Sequence, residues 1–316
     1  MKKAIVVGHT GQDGTYLSKL LYEKNYEVIG ISSKKVSQNK YGISKVDICD
    51  KEDVENLIHT INPHEVYFFA VVHQSSSDSK IEDGELFQKS LDINVKAFVN
   101  FLEAIRKFSS QTKIFYAASS HIFGSPMISP QNELTPLKPD CIYGITKTTG
   151  VEICHFYKNN HIIFACVGVF YNHESPLREA KYVSKKIVET AVAIKYGLKK
   201  ELILGSLESE IDWGYAPDYM NAVYKIMQLD KPEDFIISSG NLHTIKDFVS
   251  GVFTYLGMEW EKLVKINPEL ITKKQKRNLF GDNQKIKKLT DWSPTVSFKE
   301  LIAILVDAEV RKYATK

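Results

Sequence analysis

Tyr143 and Lys147 stand four residues apart, which puts both on one face of a helix that carries them. An ammonium beside a phenol stabilises the phenolate and pulls the tyrosine's pKa toward neutrality. Such a tyrosine can take a hydroxyl proton while hydride leaves the same carbon for a nicotinamide. The spacing alone selects nothing, because the chain holds four Tyr-x-x-x-Lys pairs, at 41/45, 143/147, 182/186 and 196/200. Position selects. Only Tyr143 follows, by about 24 residues, a strand-like run (Lys113 to Ala117) that leads into Ser119 and Ser120. A serine hydroxyl there can hold a substrate oxygen beside the tyrosine.

A second set of residues points to the same cofactor. Gly8, Gly11 and Gly14 sit between the unbroken apolar run Ala4–Val7 and the amphipathic stretch Tyr16–Tyr22. Glycine lets the backbone turn tightly, approach a pyrophosphate and pack the helix onto the strand. The spacing differs from the G-x-G-x-x-G of the commonest dinucleotide-binding dehydrogenases, but the physics is shared. After the next strand, Tyr26 to Ile31, come Ser32, Ser33, Lys34 and Lys35, with no carboxylate to bond a ribose hydroxyl. Lysines suit a 2′-phosphate and tilt the choice toward NADP, with NAD left open. Asp47 and Ile48 end the following short strand, where backbone and carboxylate can meet an adenine. The expected cofactor set is Gly8, Gly11, Gln12, Asp13, Gly14, Ser33, Lys34, Asp47, Ile48, Ala70, Tyr143 and Lys147.

The elements that must position these residues alternate. Strand-like runs recur at Glu65 to Val72, Lys113 to Ala117 and Ile162 to Phe170, with helix-like segments at Asp53–Ile61, Leu91–Lys107 and Thr146–Lys158. This alternation predicts an α/β fold, a Rossmann-like parallel sheet with helices on both faces. Beyond about residue 170 the pattern loosens, which predicts a smaller C-terminal substrate-binding region. The expected division is residues 1–168 with about 208–242 for NAD(P), and about 169–207 with 243–316 for the substrate. No internal repeat or flexible linker is evident. Lys273, Lys274, Lys276 and Arg277 form the one dense basic run, a solvated face that can also help hold a phosphate.

Composition excludes several classes. Hydrophobic residues at 43% and charged residues at 25% are those of an ordinary globular chain rather than a disordered one. A formal net charge of +3 over 316 residues is too small for nucleic-acid binding and fits a local site for a small anion. The longest apolar run, Ile162 to Tyr171, has ten residues, against the ~20 needed to span a bilayer. Met1-Lys2-Lys3 precedes only four apolar residues and then glycines, so no leader is expected and the location expected is cytoplasmic. Cys49, Cys141, Cys154 and Cys166 lack paired spacing, and the nine histidines show no ligand pair. No metal is expected.

Longer motifs resemble one family. Gly8-His9-Thr10-Gly11-Gln12-Asp13-Gly14-Thr15-Tyr16-Leu17, Tyr143-Gly144-Ile145-Thr146-Lys147 and Tyr171-Asn172-His173-Glu174-Ser175-Pro176 are three of its pieces. Asp212-Trp213-Gly214-Tyr215-Ala216-Pro217-Asp218-Tyr219 and Asp291-Trp292-Ser293-Pro294 complete it. Together they resemble the GDP-mannose 4,6-dehydratase branch of the extended short-chain dehydrogenases/reductases, along nearly the whole chain. The resemblance implies a GDP-linked hexose or heptose substrate, oxidation at C4, a role in surface polysaccharide synthesis, and a homodimer or homotetramer. The helices at Leu91–Lys107 and Thr146–Lys158 are the expected interface. Matched by position, Ser119 is the family's hydroxyl residue, Tyr143 its base and Lys147 the partner of that base. Asn172, Arg178 and Lys186 fall where the family contacts nucleotide or diphosphate, with Ser119 and Ser120 toward the sugar.

Three positions depart from the family pattern. Leu177 and Ile211 stand where the family has arginines, and His121 stands where the dehydratases have the glutamate that serves as acid/base in the elimination. Imidazole, with a pKa of ~6.5, can serve as a base but has a different shape and reach. The leading expectation is therefore a 4-dehydrogenase giving a 4-keto sugar nucleotide without elimination. A 4,6-dehydratase with His121 as acid/base is the alternative. A non-catalytic module binding nucleotide sugar or NADP is a third reading, which the intact Tyr143 and Lys147 oppose.

Overall fold

Short β-rich runs with no polar interruption make strands buried on both faces, and the central sheet is built from them. In the computed structural model, residues 1–33, 42–44, 46–74, 81–271 and 279–314 are described. Lys34, Lys35, the 41/45 pair and the basic residues Lys273, Lys274, Lys276 and Arg277 lie outside them. The strands are β1 (Lys3–Val7), β2 (Glu27–Ile31), β3 (Gly42–Ser44), β4 (Glu65–Phe68), β5 (Lys113–Ser119), β6 (Ala165–Phe170), β7 (Asn172–Glu174), β8 (Leu202–Leu204), β9 (Glu210–Tyr215), β10 (Asp234–Ile237), β11 (Leu242–Thr244) and β12 (Val264–Ile266). The helices are α1 (Gln12–Glu23), α2 (Lys51–Ile61), α3 (Asp83–Leu91), α4 (Ala97–Phe108), α5 (Ile142–His161), α6 (Val183–Lys195), α7 (Ala216–Met227), α8 (Ile245–Tyr255), α9 (Gln284–Thr290) and α10 (Phe298–Ala314).

Seven strands form one sheet in the order β3-β2-β1-β4-β5-β6-β10, and every neighbouring pair is parallel. That is the doubly wound order with one strand added, and its switch point lies between β1 and β4. One face is covered by apolar residues of α2, α4 and α5 around Phe68 and Tyr116. The other carries α1, α7, Ile286 of α9 and Trp292. A third apolar cluster joins α6, α8 and α10 with Leu202, Leu204 and Trp213. No described helix is long and apolar enough to cross a membrane.

Two expectations are corrected. The apolar run from Glu65 to Val72 is a strand only to Phe68. Val72 instead donates its N–H to Asn94 Oδ1 (2.8 Å) and accepts from Asn94 Nδ2 (3.3 Å), so a side chain satisfies what a ladder would have bonded. Asn94 lies in a π-helical turn, Asp92–Lys96, that joins α3 to α4. Beyond residue 170 the chain is also more regular than its pattern suggests, with α6, α7, α8 and α10 all longer than ten residues. The apolar faces of α6 and α10 are interrupted by a buried ion pair, Lys185 to Glu309 at 2.8 Å, so a charged residue stands where periodicity calls for an apolar one.

Candidate active site

The carboxyl ends of β4, β5 and β6 open on one cavity of about 660 Å³, where a parallel sheet of this order places its ligands. Asp13, in the first turn of α1, lines it, while Gly8, Gly11 and Gly14 of the glycine turn are not among its lining residues. Gly8 has φ +89°, and a Cβ there would stand 2.9 Å from the Ala70 nitrogen. A Cβ on Gly14 would meet the Gly8 carbonyl and stand 2.6 Å from His9 Cα, so glycine lets α1 pack this close to β1. Gly8 and His9 both donate to the Ile31 carbonyl (2.9 and 3.2 Å), which ties the turn to the end of β2. α1 begins after Gly11 with no side-chain cap. A tight turn opening an uncapped helix at the switch point fits the pyrophosphate of a dinucleotide.

The side chains of this turn have a second task. Asp13 Oδ1 accepts from His173 Nε2 at 2.9 Å, and His173 Nδ1 lies 2.8 Å from the Tyr171 carbonyl. Gln12 donates to the His173 carbonyl (3.2 Å) and accepts from the Ser175 hydroxyl (2.7 Å). The Asn-His-Glu-Ser-Pro segment is thus bolted to the glycine turn. Burial alone would raise Asp13's pKa, but His173 beside it wins and holds the carboxyl below its usual range. Burial likewise opposes charge on His173, and Asp13 overrides it, raising the imidazole's pKa.

Ser119, the last residue of β5, and Ser120 line the cavity together with Tyr143. Tyr143 is the second residue of α5, and Cys141 caps that helix, its Sγ accepting from the Gly144 N–H at 3.4 Å. A Cβ on Gly144 would stand 2.5 Å from the His121 carbonyl, so the first turn of α5 lies directly against the loop after β5. Lys147 follows one turn later, almost wholly buried, and donates to the Ala117 carbonyl at 2.6 Å.

The electrostatics correct one expectation. The Tyr143 pKa is raised in this structure, not lowered. Burial raises the tyrosine's pKa above its ordinary value, and the neighbouring Ser119 hydroxyl offsets only part of that. Burial also pushes the Lys147 ammonium down to about 7. Its Nζ lies 5.9 Å from the centre of the Tyr143 ring, drawn toward a carbonyl rather than the phenol. Desolvation penalises both charged forms here.

His121 lines the same cavity, its ring 5.7 Å from that of Tyr143 and its Nδ1 3.8 Å from Cys141 Sγ. Asn172 and Arg178 line it as well. The Arg178 guanidinium lies 3.5 Å over the Tyr182 ring and 3.2 Å from Glu174. Lys186 does not join them: it is absent from the lining, and its ammonium donates to the Ile203 carbonyl at 2.9 Å. Ser33 is exposed just past β2, and Asp47 accepts from the Cys49 N–H (2.9 Å) in the loop after β3. The Ile48 carbonyl accepts from Asn100 at 3.0 Å.

Several cavity residues carry no motif signal. His73 packs edge-on against Tyr143 (4.6 Å, 78°), with its Nδ1 3.4 Å from the Tyr182 hydroxyl. Lys181, Ser206 and Ser209 also line the cavity. The 182/186 spacing marked Tyr182 only as one of four equivalent pairs, and nothing in the sequence marked His73.

Residues 5–305 match the family model described as GDP-mannose 4,6 dehydratase. The chain belongs to that family. GDP-mannose 4,6 dehydratase 1 of Arabidopsis thaliana is 31% identical, covering 98% of this chain and 90% of that protein. Among solved structures, the dTDP-glucose 4,6-dehydratase of Bacillus anthracis in complex with NAD superposes with a TM-score of 0.84 at 20% identity, over 99% and 98% of the two chains. RMD from Pseudomonas aeruginosa, complexed with NADPH, gives 0.81 at 17% identity over 99% and 100%. Both share this chain's fold. Of the pieces that set this family apart, Asp212 and Asp218 are structural here. Asp212 accepts from the Ser239 and Gly240 N–H groups, and Asp218 holds Thr295 and Val296.

Proposed function

We propose that the protein is an NAD(P)-dependent oxidoreductase that oxidises C4 of a GDP-linked sugar, of the GDP-mannose or GDP-manno-heptose type, to a 4-keto sugar nucleotide. The observation that carries this reading is the convergence of Ser119, Tyr143 and Lys147 on one cavity of a GDP-mannose 4,6 dehydratase family fold. Gly8, Gly11 and Gly14 with the start of α1 would hold the dinucleotide's pyrophosphate, and Ser33, Lys34, Asp47, Ile48 and Ala70 would flank its adenosine half. Lys34 supports NADP over NAD. When bound, the nicotinamide supplies the hydride acceptor. Tyr143, in its phenolate form, would take the proton from the C4 hydroxyl, Ser119 would hold that oxygen, and the buried Lys147 would fix the tyrosine's surroundings. Asn172 and Arg178 would contact the nucleotide.

One observation favours a second reading. His121 lines the cavity beside Tyr143 and puts an acid/base group where a 4,6-dehydratase needs one. A 4-keto group acidifies the C5 proton; imidazole can remove it as the C6 hydroxyl departs as water. Incubation with GDP-mannose or GDP-manno-heptose separates the two. A product lighter by two hydrogens, with reduced nicotinamide accumulating, is the 4-dehydrogenase result. Loss of water with no net change in cofactor assigns the elimination to His121. No turnover of either sugar overturns both.

The division into a cofactor part (1–168 with about 208–242) and a sugar-nucleotide part (about 169–207 with 243–316) draws support from the separate apolar clusters. These interleave, since Trp213 packs in the third cluster and Ile286 and Trp292 in the second. Assembly as a homodimer or homotetramer through α4 and α5, a cytoplasmic location and a role in surface polysaccharide synthesis belong to the same proposal.

A further inference from the structure

If the cavity takes a GDP-sugar, as just proposed, it must hold a diphosphate carrying more than one negative charge. Among the described residues, three lysine or arginine side chains line it: Lys147, Arg178 and Lys181. Lys147 is committed to the Ala117 carbonyl beside the reacting end. Arg178 lies flat on Tyr182 and 3.2 Å from Glu174, which also accepts from Ser184 (2.6 Å), and its buried Nε has no hydrogen-bond partner, which leaves it as the first cation for an incoming anion. Lys181 is matched differently. Its ammonium lies 2.9 Å from Glu179, whose side chain is 59% exposed. Such a water-screened pair is weak and easily exchanged.

We propose that Lys181 is the second cation of the diphosphate site and that Glu179 is a partner it gives up. In the free protein Glu179 holds the ammonium at the cavity wall. When a diphosphate enters, the ammonium turns to a phosphate oxygen, a contact its rotatable donors allow without moving the backbone. Ile211, on the same cavity, brings no charge that could take this role.

The two residues should therefore change affinity in opposite directions. Calorimetric titration of the full chain with GDP, at low fixed salt, should show Lys181→Met weakening binding about tenfold. Lys181→Arg should restore most of it. Glu179→Gln should tighten binding, by about two- to threefold for a partly exposed charge. Unchanged GDP affinity in Lys181→Met overturns the proposal. So does weaker binding by Glu179→Gln, because a merely structural ion pair would make both variants lose affinity. Should Lys181→Met fail to fold, Lys181→Arg and Glu179→Gln still decide by the sign of the Glu179 effect. If the folded wild-type protein binds no GDP, the GDP-sugar reading itself falls; the Lys181 proposal falls separately when wild type binds and the variants do not differ.

Discussion

Two Tyr-x-x-x-Lys pairs begin helices that border one cavity, and they end differently. Tyr143 and Lys147 open α5, and both side chains line the cavity. Tyr182 precedes α6 and also lines it, yet Lys186, four residues on, turns to the Ile203 carbonyl of β8. Equal spacing gives equal placement on the helix surface. What that surface meets is decided by packing. The first turn of α5 is pressed on the loop after β5 through Gly144, which drives Lys147 into the sheet. The same face of α6 meets the edge of a two-stranded sheet, and its lysine stays near water. A catalytic pair here is a spacing together with a particular strand beneath it.

The comparison can be broken by substitution. Tyr143→Phe removes the group that takes the proton, and turnover of the GDP-sugar should fall by roughly 10²–10⁴-fold with folding intact. Lys147→Met tests burial of the cation. The folded-state pKa of Lys147 lies below its unfolded value, so the unfolded chain binds more protons between about pH 7 and 10.5. Wild-type stability should therefore rise with pH across that window, by on the order of 2–4 kcal/mol from this group. The variant should lack the rise in denaturant unfolding at the two ends of the window. Tyr182→Phe removes the hydroxyl beside His73 but keeps the ring under Arg178, and kcat/KM should fall only by about three- to tenfold. Lys186→Met should leave turnover and GDP affinity within about twofold, since an exposed hydrogen bond is worth little. A large loss there would mean the two pairs are more alike than their contacts suggest.

Much of this was legible in the sequence. The alternation of apolar runs and amphipathic segments yields the parallel sheet, and the position of Tyr143 after the β5 run singles out one pair from four. Ser119, Ser120, His121, Asn172 and Arg178 all meet at the cavity. What was hidden has physical causes. His73 directly follows the apolar run to Val72 that reads as strand, and the long-range bonds from Asn94 make the end of that run a loop along the cavity. Lys181 belongs to a polar stretch before α6 whose packing depends on the distant α10, through Lys185 and Glu309. The direction of the Tyr143 shift was also out of reach, because a ladder of residue types carries no measure of burial. Asp212 is a case of burial that residue types do not reveal. Burial raises its pKa to about 6 although it accepts several N–H bonds, and this carboxylate of a family piece holds the backbone at Ser239 and Gly240.

The central claim is that the Tyr143 site removes hydrogen from C4 of a GDP-linked sugar. The most direct test supplies GDP-mannose, or its heptose counterpart, deuterated at C4, to the wild-type protein and to Tyr143→Phe with nicotinamide cofactor. The account predicts that wild type moves the label off C4, into reduced nicotinamide or onto C6 of a dehydrated product, and that Tyr143→Phe leaves it in place. Label that stays at C4 in the wild type, or leaves equally fast in both proteins, would contradict it.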